Sequence, residues 1–233
     1  MSNKPFAFYN ENDPAAAHVL ECLIKDGVIA DGVVDRRSIA DVDPKDVAGF
    51  RQAHFFAGGG LWSVAARMAG WADDEELWSG SAPCQPFSEA GRKAGVADDR
   101  HLWPEFYRLI RACRPPCIVG EQTSAPLGRA WFDQVADDLE REHYAVRAAD
   151  ISPLAIGGSQ IRQRLWFVAC ADRFSPPRPT EPRSQLFHWS PEPEMGCVAH
   201  EFPRRMDLLR ICGNAISPKV GAVVLEALME SLP

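Results

Sequence analysis

Apolar residues recur along this chain at two alternating spacings. Residues 7–10, 53–57, 77–80 and 117–119 are short, nearly continuous apolar runs bounded by glycine, proline or charge, as expected of strands buried on both faces. Between them the period lengthens. Asp13 is a good N-cap with Pro14 at the first helical position, and Ala16, Val19, Leu20 and Leu23 share one helical face. A helix is predicted over 61–68. Another over 102–113 carries Phe106, Leu109 and Ile110 inward and is stopped by Pro115-Pro116. Trp131, Val135 and Leu139 mark a further helix. Gly213-Asn214 turns into a last one with Val220, Val224 and Leu228 inward. Residues 33–35, 144–148 and 165–169 read as additional strands, the last two flanking Gly157-Gly158. Residues 41–50 read as an acidic, irregular connection and 173–200 as proline-rich loop. Strands alternating with helices predict an α/β fold with a mostly parallel sheet covered by helices on both faces.

Two interruptions carry candidate chemistry. Gly58-Gly59-Gly60 breaks a strand and opens a helix, which lets backbone approach a ligand and aims helix N–H groups at it. Pro83-Cys84-Gln85-Pro86 follows the 77–80 run. Proline restricts its own φ and disfavours helix in the residue before it. Cys84 is therefore placed on a turn at a strand end, where open α/β sheets bind ligands. Taken alone, such a cysteine would more often be a small buried hydrophobe.

Composition narrows the class. With 46% hydrophobic and 24% charged residues, the 233-residue chain can bury a sizeable core. Seven cysteines without framework spacing suit reduced thiols in a cytoplasm. Cys113 and Cys117, with two prolines between them, make a poor zinc signal, and no metal is expected. The net charge of −7 argues against a non-specific nucleic-acid coat. The charge is uneven, however. Residues 1–53 hold 6 Lys/Arg against 9 Asp/Glu, and 160–219 hold 9 against 6, so any phosphate-facing surface is expected in the later stretch. Neither a membrane span nor a signal-peptide core is expected.

Six segments in order resemble the DNA (cytosine-5) methyltransferases. Phe56-Ala57-Gly58-Gly59-Gly60 is similar to the family's cofactor loop, and Pro83-Cys84-Gln85-Pro86-Phe87-Ser88 to its catalytic loop. Asp99-Arg100-His101-Leu102-Trp103 resembles the opening of the next helix. Glu121-Gln122-Thr123 stands where the family has Glu-Asn-Val. Gln160-Ile161-Arg162-Gln163-Arg164 resembles Gln-x-Arg-x-Arg, and Gly213-Asn214-Ala215-Ile216-Ser217-Pro218 the C-terminal Gly-Asn turn.

The resemblance implies a Rossmann-like class I S-adenosylmethionine-dependent methyltransferase fold acting on cytosine in DNA. Cytosine C5 is too weak a nucleophile to take a methyl group directly. A Cys84 thiolate adding at C6 would activate it. Glu121 would donate a proton at N3, Arg164 would hold O2, and Arg162 would hold a phosphate or brace the loop. S-adenosylmethionine would be bound by Phe56, Ala57, Gly58, Gly60, Leu61, Pro83, Leu102, Asn214 and Ala215. The base must be flipped from its stack. Gln85, Ser88, Arg92, Lys93, Gln160 and Arg162 are the expected DNA contacts.

The chain departs from the family pattern in three places. Only about twenty residues separate the glycine and cysteine loops, too few for the two strands that bind ribose and adenine. Those strands are expected at the front of the chain. Glu11 and Asn12 would supply the ribose segment and Ser38 and Ile39 the adenine segment, giving a permuted domain. Permutation must also satisfy right-handed crossovers. Gln122 replaces asparagine and is expected to loosen the positioning of Glu121 or of the cysteine loop. Finally, the recognition insertion is nearly absent. The expected division is a catalytic and cofactor domain over 1–172 (with 1–53 as the displaced segment), a minimal recognition region over 173–205, and a returning turn and helix over 206–233. A short target or a protein partner for sequence recognition follows. Cysteine addition with a different one-carbon donor is an open alternative. A non-catalytic DNA-binding relative is disfavoured by the presence of Cys84, Glu121 and Arg164. A cytoplasmic, nucleoid-associated, phage-carried modification enzyme is the expected setting.

Overall fold

In the computed structural model, residues 6–83, 102–177 and 215–230 are described. Seven strands form one sheet: β1 (Ala7–Asn10), β2 (Gly32–Asp35), β3 (Gln52–Phe55), β4 (Leu77–Gly80), β5 (Cys117–Thr123), β6 (Tyr144–Ile151) and β7 (Arg164–Ala171). Their order is β2-β1-β3-β4-β5-β7-β6, and only β7 runs antiparallel to its neighbours. The described helices are α1 (Pro14–Lys25), α2 (Pro44–Val47), α3 (Leu61–Ala69), α4 (Trp103–Cys113), α5 (Pro126–Arg141) and α6 (Pro218–Glu230). No helix among the described residues is long and apolar enough to cross a membrane.

Local chemistry accounts for the element ends. Asp13 accepts from the Ala15 and Ala16 backbone N–H groups at 3.0 Å, with Pro14 behind it, so α1 starts there. The acidic 41–50 stretch is more ordered than its composition predicts. A short 3-10 turn (Ile39–Asp41) leads to α2, whose N-terminus is fixed by a reciprocal Asp43–Asp46 capping box. Strand β5 runs two residues past Glu121, which therefore lies within the strand and not at its end. In α6 the inward face is Val220, Leu225 and Leu228, while Val224 is only partly buried, because the helix phase turns it toward the sheet rim.

Alternate strand residues pack on two faces. Phe8, Ala53, Phe55, Trp78 and Ile118 meet Ile39, Val42, Val47, α4 and α5 on one. Ala7, Tyr9, Leu77, Cys117 and Val119 meet α1, α3 and α6 on the other. This fixes the crossovers. The chain moves outward from β1 to β2 over the α1 face. It moves inward from β2 to β3 over the α2 face, and from β4 to β5 over the same face through α4. Those three share one hand. The β3–α3–β4 connection moves inward over the α1 face and has the opposite hand. Since about 98% of such crossovers are right-handed, β3–α3–β4 is the left-handed exception. The expectation that every crossover would be right-handed is corrected here.

Packing explains why α3 stays on its face. A Cβ on Gly221 of α6 would lie 3.0 Å from the Ala65 Cβ, so the two helices meet through small residues. Ser63 of α3 accepts from the Ala30 N–H at 3.1 Å, and its hydroxyl lies 3.1 Å from the Tyr9 hydroxyl, which donates to the Ala30 carbonyl at 2.8 Å. With β3 relabelled as the first strand, the sheet reads 3-2-1-4-5 from its edge, the doubly wound order that places a ligand crevice at the switch point. The domain is therefore permuted in topology.

Beneath α3 lies a buried polar stripe. The His54 ring stacks on Tyr9 with centroids 5.1 Å apart, and its nitrogens lie 2.8 Å from Ser79 Oγ and 3.1 Å from Gln52 Oε1. Burial pushes the imidazole down to about 3. The folded ring is neutral while the unfolded ring takes a proton below its ordinary 6.5. Stability is thus fully present above that value and falls as the pH drops, by about 1.4 kcal/mol per pH unit. Urea melts should show about 2 kcal/mol lost between pH 6.5 and 5, where carboxylates of ordinary pKa are still ionised. His54→Gln should flatten that slope; an equal slope in the variant would assign it elsewhere.

Candidate active site

The carboxyl ends of β1, β2, β3, β4 and β5 open into one cavity of about 430 Å³. That is within the usual range of small-molecule sites, about 300–1,000 Å³. Asn10, Glu11, Asn12, Ser38, Ile39 and Phe56 form one end. Glu121, Gln122, Thr123, Arg162 and Arg164 form the other, with Ser81, Ala82 and Pro83 along the wall. Ala57, Leu61, Leu102 and Ala215, all expected near a cofactor, also line it.

The glycine turn takes its shape from backbone that ordinary residues resist. Phe56 sits at φ 53°, Gly58 at 54° and Gly60 at 72°. A Cβ on Gly60 would also press on Leu20 and Ile29 of the α1 layer, at 3.0 and 3.1 Å. Gly59 lines the cavity, whereas Gly58 and Gly60 do not; they shape the turn and bring α3 against α1. Glu11 ties this turn to β1. Its Oε2 accepts from the Gly58 N–H at 2.7 Å and its Oε1 from the Asp13 N–H at 2.9 Å. A carboxylate has about four acceptor positions, so it can still receive two hydroxyl donors. Ile39, Phe56 and Leu102 add an apolar slot beside it. The Ser38 hydroxyl caps the 3-10 turn by accepting from Ala40 N–H at 3.4 Å.

At the other end Glu121 is buried, with 8% exposure. Its Oε1 lies 2.8 Å from Arg164 Nε, as an ion pair more than an aligned hydrogen bond. Burial raises the carboxyl's pKa more than Arg164 and Arg162 lower it. Register explains the pairing: Glu121 faces Trp166 and Thr123 faces Arg164 across the antiparallel β5–β7 ladder. Arg162, half-buried, lies just before β7 and shares the same floor. Gln160 is exposed and does not line the cavity.

Gln122 is itself anchored. Its Nε2 donates to the Ala82 carbonyl at 3.1 Å and its Oε1 accepts from the Thr123 N–H at 2.9 Å. The side chain reaches the segment just past the end of β4. Ser81, which receives a 3.3 Å hydrogen bond from Trp62 Nε1, was not singled out by sequence reasoning. No motif marks such a second tether. Cys84, Gln85, Ser88, Arg92, Lys93 and Asn214 lie outside the described residues, as does most of the expected recognition region.

With the cavity defined, comparison with known proteins is decisive. The family model for C-5 cytosine-specific DNA methylases matches residues 70–192, more than half of the chain. This chain belongs to the C-5 cytosine-specific DNA methylase family. The match covers the wall at Pro83 and the Glu121–Arg164 floor, whereas Glu11, Ser38 and the glycine turn precede it. No curated protein sequence matches the chain. Among solved structures, the Entamoeba histolytica methyltransferase EhMeth is similar at TM-score 0.50 and 17% identity, over 73% of this chain and 46% of that one. A Spodoptera frugiperda DNMT2 mutant is similar at TM-score 0.49 and 14% identity, over 79% and 47%. The chain spans about half the length of these structures. The fold is an α/β Rossmann-like fold, as in the EhMeth structure.

Proposed function

We propose that the protein is an S-adenosylmethionine-dependent DNA cytosine-5 methyltransferase. The observation that carries the proposal is the cavity itself. A buried carboxyl of raised pKa, paired with an arginine, shares one cleft with a glycine turn and a carboxylate suited to hydroxyl groups. When bound, S-adenosylmethionine supplies an electrophilic methyl group. Glu11 suits its ribose, and Ile39, Phe56 and Leu102 suit its adenine.

The residues divide the chemistry as follows. Cys84, directly after the wall residue Pro83, adds as thiolate to C6 of a flipped cytosine. Glu121 gives its proton to N3 as charge moves there, so its raised pKa is an advantage. Arg164 holds both the Glu121 carboxyl and the cytosine O2. Arg162 adds positive charge beside an incoming phosphate. Once C5 carries the methyl group, H5 is lost to a base, the thiolate leaves C6 as the 5,6 double bond re-forms, and the N3 proton returns to Glu121. Incubation with S-adenosylmethionine and random-sequence DNA, digestion to nucleosides and mass spectrometry should yield 5-methylcytosine. A parallel RNA arm tests the nucleic acid assigned, and its absence from DNA would overturn the proposal.

Glu11→Ala should weaken S-adenosylmethionine binding about ten- to hundredfold, since losing a charge-assisted hydrogen bond costs about 1.5–3 kcal/mol. Calorimetry on the folded variant measures this. An unchanged dissociation constant would remove Glu11 from the cofactor site.

A further inference from the structure

Two of the large apolar side chains exposed among the described residues share a single loop. Leu154 is 53% exposed and Ile161 86%. The loop joins β6 to β7 and has a defined shape. The Leu154 N–H donates to the Gln160 carbonyl at 3.2 Å, and the Gly158 N–H to the Pro153 carbonyl at 2.9 Å. Gly157 closes the preceding 3-10 turn at φ 87°. This clasp holds Ile161 on the cavity rim, immediately before Arg162 and three residues before Arg164, both of which line the cavity. Exposed Gln160 and Gln163 flank it. The neighbouring carboxylate Asp150 is already paired with Arg129. The rim therefore presents an apolar tip within a cationic, hydrogen-bonding surround, which fits a polyanion whose interior is apolar.

Stacked bases meet that description. A cytosine that leaves the stack opens a gap, and side chains such as isoleucine or leucine fill gaps of this kind in unstacked duplexes. We infer that Ile161, backed by Leu154, is an apolar wedge that enters duplex DNA where the target cytosine is extruded. The inference rests on the DNA methyltransferase reading above and narrows its substrate to a duplex. Ile161 acts by holding the gap open and is a positioning residue.

Two measurements on the full chain test it. In the first, a photo-crosslinking benzoylphenylalanine replaces Ile161 or, as control, Val28. Val28 is 46% exposed and precedes β2, at the opposite edge of the sheet from β6. Irradiation with random-sequence duplex DNA should give a protein–DNA adduct from position 161 and none above background from 28. Equal yields, or crosslinks from 161 only into protein, overturn the wedge. In the second, Ile161→Ser should lower kcat/KM on a matched duplex about tenfold or more, as expected for losing a large buried apolar contact. The loss should shrink to less than about threefold when the target cytosine faces an abasic site, because extrusion is then easier. Equal losses on both substrates also overturn it. If the parent protein forms no 5-methylcytosine, the activity reading fails, while the crosslinks still decide whether position 161 meets DNA.

Discussion

Cys84→Ser is expected to abolish methyl transfer, with a loss of about 10⁴-fold or more. A serine hydroxyl is almost wholly protonated at neutral pH. Its oxygen cannot add to C6 at a useful rate without a dedicated base, and no group read at this cavity is proposed for that role. Glu121 is buried with a raised pKa and faces the opposite demand, to give a proton. S-adenosylmethionine affinity should persist, because Glu11, Ile39 and Phe56 belong to the β1, β2 and β3 ends. DNA carrying 5-fluorocytosine should trap the parent enzyme as a covalent adduct, since H5 cannot leave, and should fail to trap Cys84→Ser. Methylation within tenfold of the parent would sink nucleophilic catalysis by this residue. No adduct on a substrate shown to be methylated would count against addition at C6.

The inner strands β1, β3 and β4 could be read from the chain because they are short, buried and mostly apolar. β1, β3 and β4 each have four buried residues, and their limits follow from the turn residues around them. The start of α1 was legible because an acidic N-cap and a proline fall together in Asp13-Pro14. Other features depended on distance in sequence. Nothing in 41–50 announces the capping box that opens α2, since Asp43 and Asp46 read equally well as solvated charge. The Gln122 tether to Ala82 joins residues forty apart. The hand of β3–α3–β4 was expected to follow the general preference. It is set by the small-residue contact between α3 and α6 and by Ser63 beneath it, both invisible to local periodicity.

Permutation also bears on how the cavity is assembled. β3 and β4 are sequence neighbours and sheet neighbours, so the glycine turn and the wall at 81–83 are carried by a single strand–helix–strand unit. Glu11 then fastens the earlier β1 end to that unit through Gly58. Gln122 fastens the later β5 end to it through Ala82. Three parts of the chain are drawn onto one rim by two side chains, one an acid and one an amide.

Glu121→Gln is the second change expected to have a large effect, lowering kcat by about 10²–10⁴-fold, the usual contribution of a positioned general acid. The amide keeps the shape and can still hydrogen-bond to Arg164's surroundings, but it has no proton to transfer to N3. The pH profile separates this from simple damage. On the mechanism proposed above, the parent needs Cys84 ionised and Glu121 protonated, so the rate should rise with pH as the thiolate forms and fall at higher pH as the carboxyl empties. Burial helps the second condition by raising the Glu121 pKa, with Arg164 and Arg162 opposing. In Glu121→Gln only the cysteine titrates, so the descending alkaline limb should vanish while the ascending limb remains. Arg164→Ala should act in the opposite sense on the same limb. Removing the cation at 2.8 Å leaves a buried carboxyl whose pKa rises further, moving the descent to higher pH even as kcat falls for want of an O2 partner. A profile in Glu121→Gln that keeps its alkaline limb would show that some other group delivers the proton.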